Sequence, residues 1–319
     1  SILFILYKIN KKMNWKLRSL LWFVNNVQPI RSIENKEIEN ERKRLVRVSG
    51  LGKFLFDKKI PIRAIKNFKI EGIPVRLYNQ SEHENKKVIF FIHGGGFVFY
   101  NIDSHDYVCR RLCDMNDCVV ISIDYRLAPE HSFPAAHDDV FQVIEYVAKN
   151  AAKLGIDAQK IIVAGDSAGG NIAACASHHF RNHTQLKIAA QVLIYPWIDG
   201  KLQSNSIEKY SQGYLLTKEA MIWFQQQYIP NVEDRLNPLV SPIYHKEFNQ
   251  LAPAFILTAE YDPLKEDGIV YAEKLKQHGN VVLYKDYPKL IHGFFNIPKI
   301  ATESMQAYYD IQAFLKKVV

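Results

Sequence analysis

From Lys87 onward, short runs of consecutive apolar residues alternate with longer stretches in which apolar positions recur at helical spacing. The runs at 88–92, 118–124, 160–164, 189–195, 254–259 and 281–285 read as strands buried on both faces. The stretches 104–115, 135–154, 168–180, 263–277 and 301–317 read as helices. This alternation predicts a mostly parallel sheet flanked by helices on both faces. Upstream, two short strands at 67–70 and 74–78 meet through Glu71-Gly72, an antiparallel edge hairpin. Earlier still, residues 14–27 bring Trp15, Leu17, Leu20, Leu21, Phe23 and Val24 near helical spacing with Lys16 and Arg18 between them, an amphipathic helix. One region breaks the rhythm: residues 197–250 hold an aromatic-rich helical piece (Tyr214, Trp223, Phe224, Tyr228) followed by Pro230, Pro238 and Pro242. The pattern predicts an N-terminal cap segment over 1–60 and a catalytic domain over 61–319, with a cap insertion at about 197–250.

The chemistry begins at Gly165-Asp166-Ser167-Ala168-Gly169, directly after the apolar run Ile161-Ile162-Val163-Ala164 and directly before a helix of small residues. A serine at the apex of a strand–turn–helix is pushed into an exposed, strained position, and the flanking glycines leave room for the backbone crossing. Serine needs a base to take its proton and a third group to orient that base. Asp262 follows the strand at 254–259, and His292 lies in Leu290-Ile291-His292-Gly293-Phe294 beyond the next strand. Asp286, Asp267 and Glu260 compete for the third role, but Asp286 belongs to the approach to the histidine loop and Asp267 lies inside a helix, and Asp262 is favoured. His178, His179 and His183 lie on or after the helix that follows the serine and point away from the site in most helical registers, and His278 lies near a helix end.

His93-Gly94-Gly95-Gly96-Phe97, after the strand at 88–92, supplies main chain without Cβ obstruction for binding an oxyanion. The expected donors are the N–H groups of Gly94, Gly95 and Ala168. His93 is expected to shape this loop, and Asp166 to structure the elbow.

The composition, 48% hydrophobic and 23% charged over 319 residues, suits one large α/β domain. The net charge of +8 is unevenly placed: residues 1–70 carry 17 Lys and Arg against 5 Asp and Glu, and the rest 24 against 28. No helix-turn-helix, RNA-recognition or zinc-finger pattern accompanies the basic segment, which argues against nucleic acid and for a lid or a weak membrane-surface contact. Cys109, Cys113, Cys118 and Cys175 lack disulfide or metal spacing and read as reduced packing residues. Residues 1–9 are apolar but too short to span a bilayer, and the missing initiator Met predicts that the natural chain extends upstream. A cytoplasmic location follows from this reading, with membrane association and a homodimer left open.

Taken together, the order Ser167, Asp262, His292, the glycine run, Asp124-Tyr125-Arg126-Leu127-Ala128-Pro129-Glu130, Phe133-Pro134-Ala135, Asp262-Pro263-Leu264 with Gly268, and Tyr271-Ala272 resemble the hormone-sensitive lipase family of α/β-hydrolases. The family also includes bacterial family IV esterases and is similar to arylacetamide deacetylases. The resemblance runs from about residue 85 to the C-terminus. It implies the α/β-hydrolase fold with a helical cap, no metal or cofactor, and hydrolysis of small carboxylic esters of short to medium chain. It also implies structural roles for Glu130 and Asp138 in tying down the loop beside the elbow. The alternatives are a small-amide deacetylase, a lipase acting at lipid surfaces and a catalytically silent binding protein. Two departures stand out: Tyr100 replaces a common glycine and is expected to narrow the acyl pocket, and the N-terminal segment matches poorly.

Overall fold

The computed structural model describes residues 13–26, 37–45, 47 and 60–319. The apolar start at 1–9, and with it part of the expected cap segment, lies outside the described residues. Among the described residues, eight strands form one sheet: β1 (Ala64–Ile70), β2 (Ile73–Asn79), β3 (Lys86–Ile92), β4 (Val119–Ile123), β5 (Ile156–Asp166), β6 (Ile188–Ile194), β7 (Ala254–Tyr261) and β8 (Val282–Ile291). Their spatial order is β1-β2-β4-β3-β5-β6-β7-β8. The β1–β2 and β2–β4 pairs are antiparallel, and the pairs from β4 to β8 are parallel.

The sheet is covered on both sides because its central strands bury alternate residues in opposite cores. Val88, Phe90 and Ile92 of β3 face one core, with helices α3 (Ala135–Lys149), α4 (Ala168–His179) and α6 (Lys265–Gln277). Ile89 and Phe91 face the other, with α1 (Trp15–Asn26), α2 (Asp106–Asn116) and α7 (Ser304–Val318). All four cysteines are buried thiols within these cores. The insertion contributes α5 (Lys218–Tyr228), anchored by a Thr217 side chain that accepts from the Ala220 N–H.

Two elements differ from their sequence reading. The helix expected over 135–154 stops at Lys149, because Asn150 turns out of helical geometry and its side chain bonds the Tyr146 carbonyl. A separate turn, Ala151–Leu154, follows and closes on Gly155 in the left-handed region. The last strand runs on to Ile291, past Pro288, since β8 is the edge of the sheet and a proline there removes no ladder bond from a central position.

The segment 37–45 reaches the catalytic side of the sheet through Arg42. Its guanidinium donates to Val98 O (2.8 Å) and Ala128 O (2.6 Å) and pairs with Glu130 (2.8 Å). Glu130 therefore ties this segment down. Asp138 does not anchor the loop beside the elbow: it lies exposed on α3, and its neighbour Asp139 is buried, accepting from the Arg126 N–H (2.8 Å) and pairing with the Arg126 guanidinium (2.7 Å). The helical phase decides the matter, because Ala136, His137, Asp139 and Val140 share the inward face.

Candidate active site

Ser167 sits between the end of β5 and the start of α4 with φ 57° and ψ −117°, outside the regions comfortable for a residue with a side chain. The neighbouring glycines are required sterically: a Cβ on Gly165 would lie 2.3 Å from Gly169, and one on Gly169 would lie 2.0 Å from Ile92 O. The parallel register of β3, β5 and β6 thus forces the crossing that lifts the serine out of the sheet.

β7 and β8 deliver the partners. Asp262, fully buried just past β7, accepts from the Leu264 N–H through Oδ1 (2.8 Å) and meets His292 Nδ1 through Oδ2 (2.8 Å). His292 Nε2 lies 3.0 Å from Ser167 Oγ. The three residues named from sequence form one continuous line. The Tyr195 ring packs on the His292 imidazole at 4.5 Å and limits its swing.

The rival carboxylates are engaged elsewhere. Asp286 pairs with Lys265 (2.8 Å) and accepts from Thr258 Oγ1 (2.9 Å), and Glu260 accepts from the Lys289 N–H. Asp267 accepts from the Ile198 and Asp199 N–H groups, and burial pushes its carboxyl up to about 7. The rival histidines also have other partners: His178 Nε2 meets the Tyr271 hydroxyl (3.0 Å), and His278 Nδ1 meets the Lys274 carbonyl.

The glycine loop corrects one expectation. The Gly94 N–H donates to Asp166 Oδ1 (2.9 Å), so it is committed inside the protein and does not point at an oxyanion. The N–H groups of Gly95, Gly96 and Ala168 meet no acceptor among the described residues. Gly95 and Gly96 have φ of 114° and 62°, and a Cβ on Gly96 would fall 2.3 Å from the Phe224 ring of α5. The insertion helix therefore lies directly on the glycine loop. His93 is buried and shapes this loop as expected from sequence: Nδ1 meets Gly94 O (2.8 Å), its ring stacks on Tyr125 at 4.3 Å, and burial drives its pKa down to about 3.

Asp166 is more than a local turn residue. Besides Gly94, its carboxylate receives His105 Nε2 (3.2 Å) and Asn296 Nδ2 (3.0 Å). One side chain thereby joins the elbow, the glycine loop, the start of α2 and the turn after His292. Burial alone would raise its pKa, yet the His105 field and hydrogen bond, with Asn296 and Gly94, hold it below the ordinary carboxylate value. Neither His105 nor Asn296 carries a motif signal, and their roles come only from distant chain meeting at one carboxylate. Tyr100 adopts φ 72°, lies beside Gly95 and meets the His105 ring edge-on at 5.8 Å. Among the described residues, no group of three or more His, Cys, Asp or Glu is arranged to hold a metal.

A family model described as the alpha/beta hydrolase fold matches residues 89–296. The chain belongs to this family. Within it, the α/β-hydrolase is of the hormone-sensitive lipase type. It is 37% identical to an ethyl acetate hydrolase of Pseudomonas putida over 73% of this chain and 74% of that one. It is 36% identical to an arylesterase of Saccharolobus solfataricus over 82% of this chain and 85% of the relative. Among solved structures, a hyperthermophilic esterase from the archaeon Pyrobaculum calidifontis superposes with a TM-score of 0.89 at 37% identity, covering 96% of this chain and 98% of that one.

Proposed function

We propose that this α/β-hydrolase is a serine carboxylesterase acting on short- to medium-chain esters through an acyl-enzyme. The observation that carries the reading is the unbroken line Asp262–His292–Ser167, at 2.8 Å and 3.0 Å, in a family whose named relatives hydrolyse esters. His292 Nε2 takes the Ser167 proton as Oγ attacks the ester carbonyl, and Asp262 holds the Nδ1–H tautomer and stabilises the imidazolium. The N–H groups of Gly95, Gly96 and Ala168 receive the oxyanion, where fixed donors in a dry site act most strongly. His292 then protonates the leaving alkoxide, and water repeats the cycle on the acyl-enzyme.

In this reading residues 1–60 and about 197–250 form the cap. Phe224 sets one wall of the site, and Tyr100 limits the depth available to the acyl chain. The same proposal includes a cytoplasmic location and a weak surface contact through the basic N-terminal segment. No helix among the described residues is long and apolar enough to cross a membrane. The test is a rate series across p-nitrophenyl esters of increasing acyl length, run beside an anilide and with Ser167→Ala as control. Rates highest for short and medium chains and absent in the variant support the reading, whereas preference for the anilide or full activity in the variant contradicts it.

A further inference from the structure

Helix α1 presents two faces of opposite character. Leu17 and Leu21 are buried in the core beneath it, whereas Trp15, Trp22 and Phe23 are 71%, 63% and 45% exposed. Trp15 and Trp22 stand two helical turns apart, on the same side as Arg18 and Ser19, and these four line an open groove of about 420 Å³. The helix carries Lys16 and Arg18 and no acidic residue, within a segment of 17 basic against 5 acidic residues over positions 1–70. Two exposed indoles beside cations form a face with an apolar surface, hydrogen-bonding rims and positive charge. That combination matches the headgroup level of an anionic bilayer, where tryptophan settles and basic side chains meet lipid phosphates.

The helix is also fixed next to the site. Asn14 Nδ2 donates to Ile300 O (3.0 Å) and Lys16 Nζ to Lys299 O (3.3 Å), in the segment that follows His292. At its other end Asn25 Nδ2 donates to Gly213 O (3.1 Å). Two residues on, the Leu215 side chain comes within 3.5 Å of the place a Cβ would occupy on Gly293, the neighbour of His292. Helix α1 is therefore tied at one end to the segment after His292 and at the other to the segment whose Leu215 approaches Gly293.

We propose that the outer face of α1, through Trp15, Arg18 and Trp22, docks the enzyme on anionic phospholipid surfaces and brings the site to esters dissolved in them. The substrate half of this proposal rests on the esterase reading, and the docking half stands on the helix alone.

The docking is tested with the full chain bearing Ser167→Ala, mixed with vesicles of phosphatidylcholine alone or of equal parts phosphatidylcholine and phosphatidylglycerol. Trp197 and Trp223 are buried, so a change in indole emission reports Trp15 and Trp22. The expected result is co-sedimentation with the anionic vesicles only, with a blue-shifted emission, weakened by salt. Binding should fall about tenfold or more in Trp15→Ser/Trp22→Ser and in Arg18→Glu. On the active background those variants keep soluble-ester turnover and lose turnover of a medium-chain ester carried in anionic vesicles. Equal binding to neutral vesicles overturns the proposal, as does undiminished binding by the variants. So do indoles already shielded from acrylamide without lipid, or a dimer that Trp22→Ser dissociates. Absence of soluble-ester turnover in the unmodified chain would defeat the esterase reading, while vesicle binding by the Ser167→Ala chain reports docking separately.

Discussion

Replacing Asp166 by alanine removes the one acceptor shared by the Gly94 N–H, His105 Nε2 and Asn296 Nδ2 in a site that is 3% exposed. Each buried donor left without a partner costs about 1–3 kcal/mol, so three of them amount to roughly 3 kcal/mol at the least. At roughly 2 °C per kcal/mol for a chain of this size class, the melting temperature should fall by about 6 °C or more. Activity should fall further than stability alone explains, since the glycine loop and the histidine turn lose their common anchor. Asp166→Asn is the informative comparison. Its carbonyl can keep the Gly94 N–H, and its amide can face Asn296, whose Oδ1 is buried without a partner and becomes available if that amide turns over. The asparagine variant should therefore retain most of the stability and activity that the alanine variant loses.

Acid behaviour supplies a second readout of the same site. The folded pKa of Asp166 lies below its unfolded value, so the folded state binds fewer protons between the two. Its contribution is full above the unfolded carboxylate range and is lost as pH falls through the folded value. Both variants should therefore show a shallower loss of stability on acidification than the unmodified chain. Thermal melts from neutral to acid pH, with kcat and KM at neutral pH, decide the question. An alanine variant with unchanged melting temperature and kcat would show that Asp166 does not hold the glycine loop and the histidine turn together.

Asp262→Asn should reduce kcat by about 10³-fold or more by admitting the wrong imidazole tautomer, whereas Asp286→Asn, which loses only its Lys265 and Thr258 contacts, should leave kcat nearly unchanged. Equal losses in the two variants would unseat Asp262. Gly96→Ala should cost about 10²-fold in kcat by driving a Cβ into Phe224 and displacing an oxyanion donor, and Phe224→Ala in the same chain should restore part of it. No recovery in the double variant would remove the steric cause. Tyr100→Gly should shift ester preference toward bulkier acyl groups, with the loss of ring packing against His105 offset only in part because φ 72° suits glycine better than tyrosine. An unchanged chain-length profile would place Tyr100 outside the acyl pocket.

The strand–helix alternation was legible because each central strand is a run of apolar residues, and the serine could be located because Gly165 and Gly169 bracket it at fixed spacing. Asp262 and His292 followed from the strands that precede them. Features that depend on meetings between distant residues were hidden. Which glycine N–H is free depends on a carboxylate 72 positions from Gly94, and nothing in the glycine run announces that Asp166 will claim the first of them. The Asp138 and Asp139 pair shows a different limit: adjacent identical residues differ only in helical phase, and that phase is set by packing against Arg126. The break at Asn150 was hidden too, since alanines on either side favour continuing the helix.

Whether Ser167 is the nucleophile of an ester hydrolase is decided by trapping the acyl-enzyme. Rapid mixing with p-nitrophenyl acetate should release a burst of nitrophenol stoichiometric with protein. Acid quench followed by mass spectrometry should find one acetyl group per chain, on Ser167, with none in Ser167→Ala and none accumulating in His292→Ala. Turnover without any adduct, or an acetyl group on another residue whose loss abolishes activity, would exclude Ser167 as the nucleophile.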